Sequence, residues 1–200
     1  MKKSLLVLIG VFVLLGFIVL IGFLTSIRTY NKMVQYDEAV TSSWSQVENV
    51  YQRRADLIPN LVNTVKGYAD FEKETLTQVI EARSKATSVN ISAENLNEQT
   101  MAQFQQAQDG LSSALSRLMV VVEKYPELKA NQNFLELQAQ LEGTENRIAN
   151  ERMKFNETTR TYNVYTRKFP ARIFASLYGF EQKPYFKAQE GAEKVPEVKF

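Results

Sequence analysis

Two rules of residue placement divide this chain. Residues 5–24 are all Leu, Val, Ile, Phe or Gly, preceded by Lys2 and Lys3. At about 1.5 Å per residue, a helix of that length crosses the ~30 Å hydrocarbon layer of a bilayer. In lipid a single segment can pair its backbone polar groups only by forming a helix. The run leads into Thr25-Ser26-Ile27-Arg28 rather than a stretch of small residues, so residues 1–26 read as an uncleaved transmembrane anchor and not as a removed secretory signal.

After residue 26 apolar residues recur with the helical period, in four stripes. Ile27, Tyr30, Val34, Val40, Trp44, Val47 and Tyr51 carry the anchor helix outward. Pro59 lacks the N–H that bonds to the preceding turn and suits a first helical position, so it predicts a corner between a first and a second helix. Leu61, Val62, Val65, Tyr68, Ala69, Leu76, Val79 and Ile80 form the second stripe. Residues 87–93 read as a loop, with Asn90 and Ser92 as caps. Met101, Phe104, Gln108, Leu111, Leu115, Leu118, Val122 and Tyr125 alternate steps of three and four, the seam of left-handed helix packing, ended by Pro126. A fourth stripe, Phe134, Leu137, Leu141, Ile148, Phe155, Tyr162 and Phe169, stops at Pro170. A short helix over residues 172–178 closes at Gly179.

Short connections make neighbouring helices antiparallel. The expected fold is therefore all-α: an N-terminal transmembrane helix at 1–26, then an up-and-down antiparallel four-helix bundle of long helices over 27–186. A short fifth helix lies near its end, and 187–200 is an irregular tail. Pro59, Pro126 and Pro170 interrupt the heptads and argue against one extended coiled coil between chains.

Composition narrows the chemistry. The 200 residues contain no His and no Cys. That removes the usual catalytic triad, imidazole and thiolate metal ligands, cysteine nucleophiles and disulfides. Carboxylates are the remaining acid–base equipment, as in Glu142 with Glu145, or Glu72 with Asp70 or Glu74. A dimetal carboxylate bundle would need Glu-x-x-His pairs, and these acids read as surface or salt-bridging groups. No enzyme activity, metal or cofactor is expected.

The net charge of +2 says little, but residues 152–187 hold eight basic residues against two acidic ones. A solvated basic helix face explains this more simply than a nucleic-acid arm, and no nucleic-acid partner is expected. The positive charge before the anchor slightly exceeds that after it, which leans the body to the extracytoplasmic side. Arg53, Arg54, Asn60, Asn63 and Lys66 cluster about the expected helix 1–2 corner, where Asp56 is placed to pair with an arginine across the bend. Arg152, Asn156, Thr159 and Asn163, in steps of four, three and four, make a polar ladder on the last long helix, and Arg160 lies beside it. These nine residues are the candidate partner-binding surface. Buried Asn and Arg bonding across the bundle to set register is the structural alternative, and the better supported one.

The motifs along the chain resemble the LemA family. They are Tyr30-Asn31, Trp44-Ser45-Gln46-Val47, Arg53-Arg54-x-Asp56-Leu57-Ile58-Pro59-Asn60-Leu61-Val62, Val65-Lys66-Gly67-Tyr68 and Ala82-Arg83. In the second half come Tyr125-Pro126-Glu127-Leu128-Lys129-Ala130-Asn131, Asn133-Phe134, Leu141-Glu142-Gly143-Thr144-Glu145-Asn146-Arg147-Ile148-Ala149, Phe155-Asn156, Tyr162-Asn163, Phe169-Pro170 and Gly179-Phe180. The resemblance implies a bacterial single-pass membrane protein with a helical bundle and no established catalytic activity. Some members help build magnetosome membranes, and others are encoded near membrane proteases.

The expected function is a membrane-anchored scaffold or adaptor of the cell envelope. Its partners would be the lipid bilayer through residues 5–24, an unidentified membrane or envelope protein, and a second copy of the chain as a homo-oligomer. The alternative is a membrane-surface or lipid-binding module using the basic region with Phe174, Leu177, Phe180 and Phe186.

Overall fold

The computed structural model describes residues 2–67 and 72–187, with side chains from Ile9 onward. Tyr68 and Ala69 of the second stripe, Asp70, and the tail expected beyond Lys187 lie outside the described residues. Six α-helices follow in order: α1 (Lys2–Lys66), α2 (Lys73–Ser88), α3 (Glu98–Val122), α4 (Pro126–Lys129), α5 (Gln132–Arg167) and α6 (Ala171–Tyr178), with a 3-10 turn at Ala93–Asn95. There is no strand among the described residues, and the chain is all-α. Among the described residues one helix, α1, is long and apolar enough to cross a membrane. Its side chains from Ile9 to Leu24 are exposed, as lipid-facing residues are.

The expected corner at Pro59 is not there. Pro59 lies inside α1, which continues to Lys66. A proline in a helix interior leaves the carbonyl four residues earlier without its N–H donor. Here that carbonyl belongs to Ala55, and the Arg83 Nε–H of α2 donates to it at 2.8 Å. A guanidinium from the neighbouring helix satisfies the freed acceptor, so the helix need not end. Three other boundaries also move. Asn97, not Asn90 or Ser92, caps α3: its Oδ1 accepts from Thr100 N–H at 2.9 Å while Thr100 Oγ1 accepts from Asn97 N–H at 3.0 Å. The α3 helix ends at Val122, and Pro126 opens the one-turn α4 at its first position.

The chain forms two compact units, Thr41–Thr159 with Lys183–Phe200, and Met1–Val40 with Arg160–Gln182. In the larger unit, Trp44 packs on Phe104 of α3 and Phe155 of α5, and ten residues later Arg54 bonds to Gln108 and Glu145. Residue numbers rise together along α1 and α3 and fall along α5. The Arg83–Ala55 bond and the bond from Gln108 Nε2 to the Ala86 carbonyl (3.2 Å) add α2, running back alongside. The result is an up-and-down four-helix arrangement. Its core is an apolar cluster including Ile58, Leu61, Val65, Val79, Leu111, Leu118, Val122, Leu128 and Phe134. Apolar burial at about 25 cal/mol per Å² is the main stabilising term.

In the smaller unit, Met33 packs on Ala171 and Ala175 of α6, with Tyr165, Phe174 and Phe180 around them. Gly179 adopts φ +76°, the left-handed conformation that suits glycine, and Phe180 N–H donates back to the Ala175 carbonyl at 3.0 Å. Ile27, Val34 and Phe169 of the stripes are exposed instead of buried, and Tyr30 lies at the surface against Tyr178 and Phe180. The inward seam of α1 runs through Thr29, Met33, Val40, Trp44, Val47 and Tyr51. A polar threonine occupies a seam position and apolar residues sit beside it, so hydrophobicity alone gave the wrong register at the start of the stripe. Ile80 of α2 is likewise exposed.

Candidate functional site

Arg54 is the polar centre of the larger unit. It is 2% exposed, and its guanidinium reaches two elements other than its own helix, α3 and α5. One terminal nitrogen donates to Ser112 Oγ at 2.8 Å and to Glu145 Oε2 at 2.9 Å. The other donates to Gln108 Oε1 at 2.7 Å and to the Gln108 carbonyl at 3.3 Å. Gln108 passes the connection to α2 through Ala86, and the Tyr51 ring lies 5.1 Å from the guanidinium carbon. One side chain thus links α1, α3 and α5 directly and α2 through a glutamine. Asp56 takes no part in this; it accepts from Gln52 Nε2 within α1 at 2.8 Å. Burial pushes the Tyr51 phenol up from its ordinary pKa, while Arg152 and Arg54 pull it down and Glu145 and Asp109 push it further up.

The polar ladder on α5 is occupied by the chain itself. Asn156 Nδ2 donates to the Phe186 carbonyl at 3.0 Å, and Asn156 Oδ1 accepts from Phe186 N–H at 2.9 Å, a two-bond clamp on an extended segment. Arg152 donates to the Lys187 carbonyl at 3.0 Å and lies 4.7 Å from the Phe186 ring centre. Gln105 Nε2 of α3 donates to the same Lys187 carbonyl at 2.8 Å. Held this way, Phe186 stacks on Trp44 at 6.0 Å and meets Phe155 edge-on at 5.5 Å. Trp44 Nε1–H donates to the Ile91 carbonyl at 2.9 Å, so the indole is satisfied at both its faces and its edge.

The nine sequence-derived residues therefore divide. Arg54 and Asn163 are buried, and Arg152 and Asn156 are half-buried and bonded to residues 186–187. Arg53, Asn60, Asn63 and Lys66 are exposed on α1. With Gln52 and Asp56 they form an outward polar stripe through the middle of a helix, not around a corner. Arg160 is exposed on α5. Sequence reasoning gave no role to Arg83, whose task depends on a proline 24 positions away, and placed Phe186 only on a lipid-binding surface. The signal for Phe186 was its position between two lysines in an otherwise polar tail. Glu145 was read as a salt-bridging acid, which is its place here.

In the smaller unit, Tyr162 donates through its hydroxyl to the Glu181 carbonyl at 2.8 Å, and burial, with Asp37 and Glu181 nearby, raises its pKa. A cavity of about 400 Å³ is lined by Thr166, Arg167, Arg172, Ser176 and Glu181 among others. No group of three or more metal-ligating side chains occurs among the described residues.

The sequence is similar to known proteins. The LemA family model matches residues 43–200. The magnetosome protein MamQ of Magnetospirillum gryphiswaldense is 29% identical over 174 residues, covering 78% of this chain and 64% of its own. Magnetosome protein MamQ 2 of Paramagnetospirillum magneticum is 27% identical over 181 residues, covering 82% and 66%. Protein LemA of Metamycoplasma hominis is 23% identical over 144 residues, covering 72% and 59%. The chain spans less than two thirds of the length of each of these relatives.

Proposed function

Because this chain belongs to the LemA family, we propose that it is a membrane-anchored helical scaffold of the bacterial cell envelope that acts by holding another envelope protein. It is a membrane protein with one apolar spanning helix, and its relatives named for magnetosomes are consistent with work at a membrane. One observation carries the scaffold reading. The polar groups that look most like a site, Arg54, Arg152 and Asn156, are consumed in joining helices or holding residues 186–187, while a polar stripe of α1 faces outward. Such a body offers surface rather than chemistry. The body is proposed to stand on the extracytoplasmic side, following the charge balance about the anchor.

Photo-reactive residues placed in living cells at Arg53, Asn60, Asn63, Lys66 and Arg160 should trap a discrete protein partner from at least one position. The buried Arg54 and Asn163 should trap only the chain itself. If all five exposed positions stay silent, the scaffold reading falls. Accessibility of single introduced cysteines at the same positions to a membrane-impermeant reagent decides the side of the membrane.

A further inference from the structure

We propose that α6 is a foot on the same bilayer that α1 crosses, its Tyr178 end in the headgroup layer, with Leu177 in that layer and Ile173 at its outer edge. This rests on α1 being the anchor. The placement follows from which α1 residues α6 touches. The Tyr178 hydroxyl is 2.9 Å from Ser26 Oγ, and the Tyr178 ring meets Tyr30 edge-on at 5.0 Å. Phe180, just after the helix, meets Tyr30 at 5.8 Å, and Ala171 and Ala175 pack on Met33. Every one of these partners lies between residues 26 and 33. At 1.5 Å per residue, that is about 3 to 14 Å beyond Leu24, where the apolar run ends. The headgroup layer occupies about 5–7 Å on each side of the hydrocarbon. The tyrosine end of α6 therefore stands at headgroup depth, where amphipathic rings of Tyr are favoured.

The outward side of this short helix has the chemistry of that layer. Ala171 and Ala175 face Met33, and on the opposite side Ile173 is 58% and Leu177 72% exposed. Phe169, just before the helix, is 84% exposed. Three large apolar side chains left in water at the edge of a bilayer are a liability, and buried in the interface they are a gain. Arg167, Lys168 and Arg172 are exposed around them, with Glu181 the acid nearest in sequence, and Arg28 is exposed on α1. Cations flanking an apolar face match anionic lipid headgroups. The residues differ from the surface expected from sequence. Phe186 and Arg152 are committed to the Trp44 cluster, and Phe174 and Phe180 pack about Met33.

The chain has no cysteine, so a single nitroxide label can be placed anywhere in the full-length protein. Labels at Ile18, Glu38, Ile173 and Leu177 would be compared in phosphatidylcholine vesicles with and without phosphatidylglycerol. Collisional relaxation by oxygen, which favours lipid, is measured against a water-soluble nickel chelate. Ile18 is the anchor control, and Glu38, about 21 Å beyond Leu24 on α1, is the aqueous control. Expected is an oxygen-to-nickel ratio at Ile173 and Leu177 several-fold above that at Glu38. It should increase with phosphatidylglycerol, and that increase should be lost in the triple variant R167Q, K168Q and R172Q. Ratios at Ile173 and Leu177 equal to Glu38, with Ile18 in lipid, overturn the foot and leave the anchor standing. A water-exposed Ile18 overturns both. Spin–spin broadening between labels at Leu177 would mean that a second copy covers the face, which also overturns the proposal.

Discussion

Within the larger unit, α1 is held in two different ways. Between Trp44 and Arg54 its inward side chains make directional contacts: an indole bonded to the Ile91 carbonyl and ringed by Phe104, Phe155 and Phe186, then a guanidinium bonded to three residues. Between Ile58 and Val65 they are aliphatic and meet Leu76, Val79, Leu118, Val122 and Phe134 by packing alone. Aliphatic burial stabilises any arrangement that keeps volume and pattern, whereas hydrogen bonds and ring geometry are satisfied in only one register. The first layer therefore identifies which helix faces meet, and the second supplies much of the stability.

The largest expected effect tests whether the layers differ in kind. Trp44→Ala and Leu118→Ala should each destabilise the chain by about 3–5 kcal/mol, read from denaturant midpoints in detergent by circular dichroism. They should part in the state left behind. Leu118→Ala should keep a sharp transition, and Trp44→Ala should release residues 183–187, seen as fast amide exchange at Phe186. Equal protection of Phe186 in both would erase the distinction.

Arg54→Ala comes next, at about 3 kcal/mol, because it leaves a cavity and strips Gln108 of its partner. Arg54→Met fills the space but also leaves the buried Gln108 Oε1 without its donor, so it should recover only the cavity part of that loss and lie about 1–2 kcal/mol below the parent, while broadening the amide spectra as register loosens. A Met variant as unstable as the Ala variant would mean that the guanidinium bonds, not volume, hold this layer.

Pro59 and Arg83 give a sharper case of a directional contact. Arg83→Leu should cost about 1–2 kcal/mol by leaving the buried-side Ala55 carbonyl unpaired. In a Pro59→Ala background, where residue 59 supplies its own N–H, the same change should cost several-fold less. A double-mutant cycle with no coupling would show that the Ala55 carbonyl finds another donor.

A smaller effect is a pH dependence. The Tyr51 phenol has a raised pKa when folded, with burial the chief cause. The unfolded phenol ionises near pH 10 and the folded one above that. Stability from this group is complete below about pH 10 and declines as the pH rises toward the folded pKa. Tyr51→Phe should flatten that loss above about pH 10, and only in part, because Tyr162 is also raised. The smallest effect is at Thr159, whose buried Oγ1 has no hydrogen-bond partner. Thr159→Val should be neutral or stabilising by up to about 1 kcal/mol, against the losses at bonded neighbours.

Much of this was readable before any coordinates. The alternating steps of α3 predicted its buried side from Met101 to Val122, and the seven-residue recurrence of Phe134, Leu141, Ile148, Phe155 and Tyr162 did the same for α5. The anchor, the Gly179 terminus and the family motifs were equally legible, because each depends on residues close together in sequence. The misreadings have a common origin. Pro59 looked like a corner because the rule that proline ends helices ignores donors from elsewhere, and Arg83 is such a donor. The α1 stripe starts on Ile27 and Val34, which are exposed, because periodicity counts polarity and not what lies opposite.

The sequence alone determined the helical class, the membrane-spanning length of residues 5–24, and the inward stripes of α3 and α5, because period and composition are local properties summed over many residues. The tertiary structure alone decided which polar residues are spent inside. Arg54 faces Glu145, 91 positions away, and Asn156 holds Phe186, 30 positions away. Pairings at such separations carry no periodic signal, since they depend on where independent helices come to rest against one another.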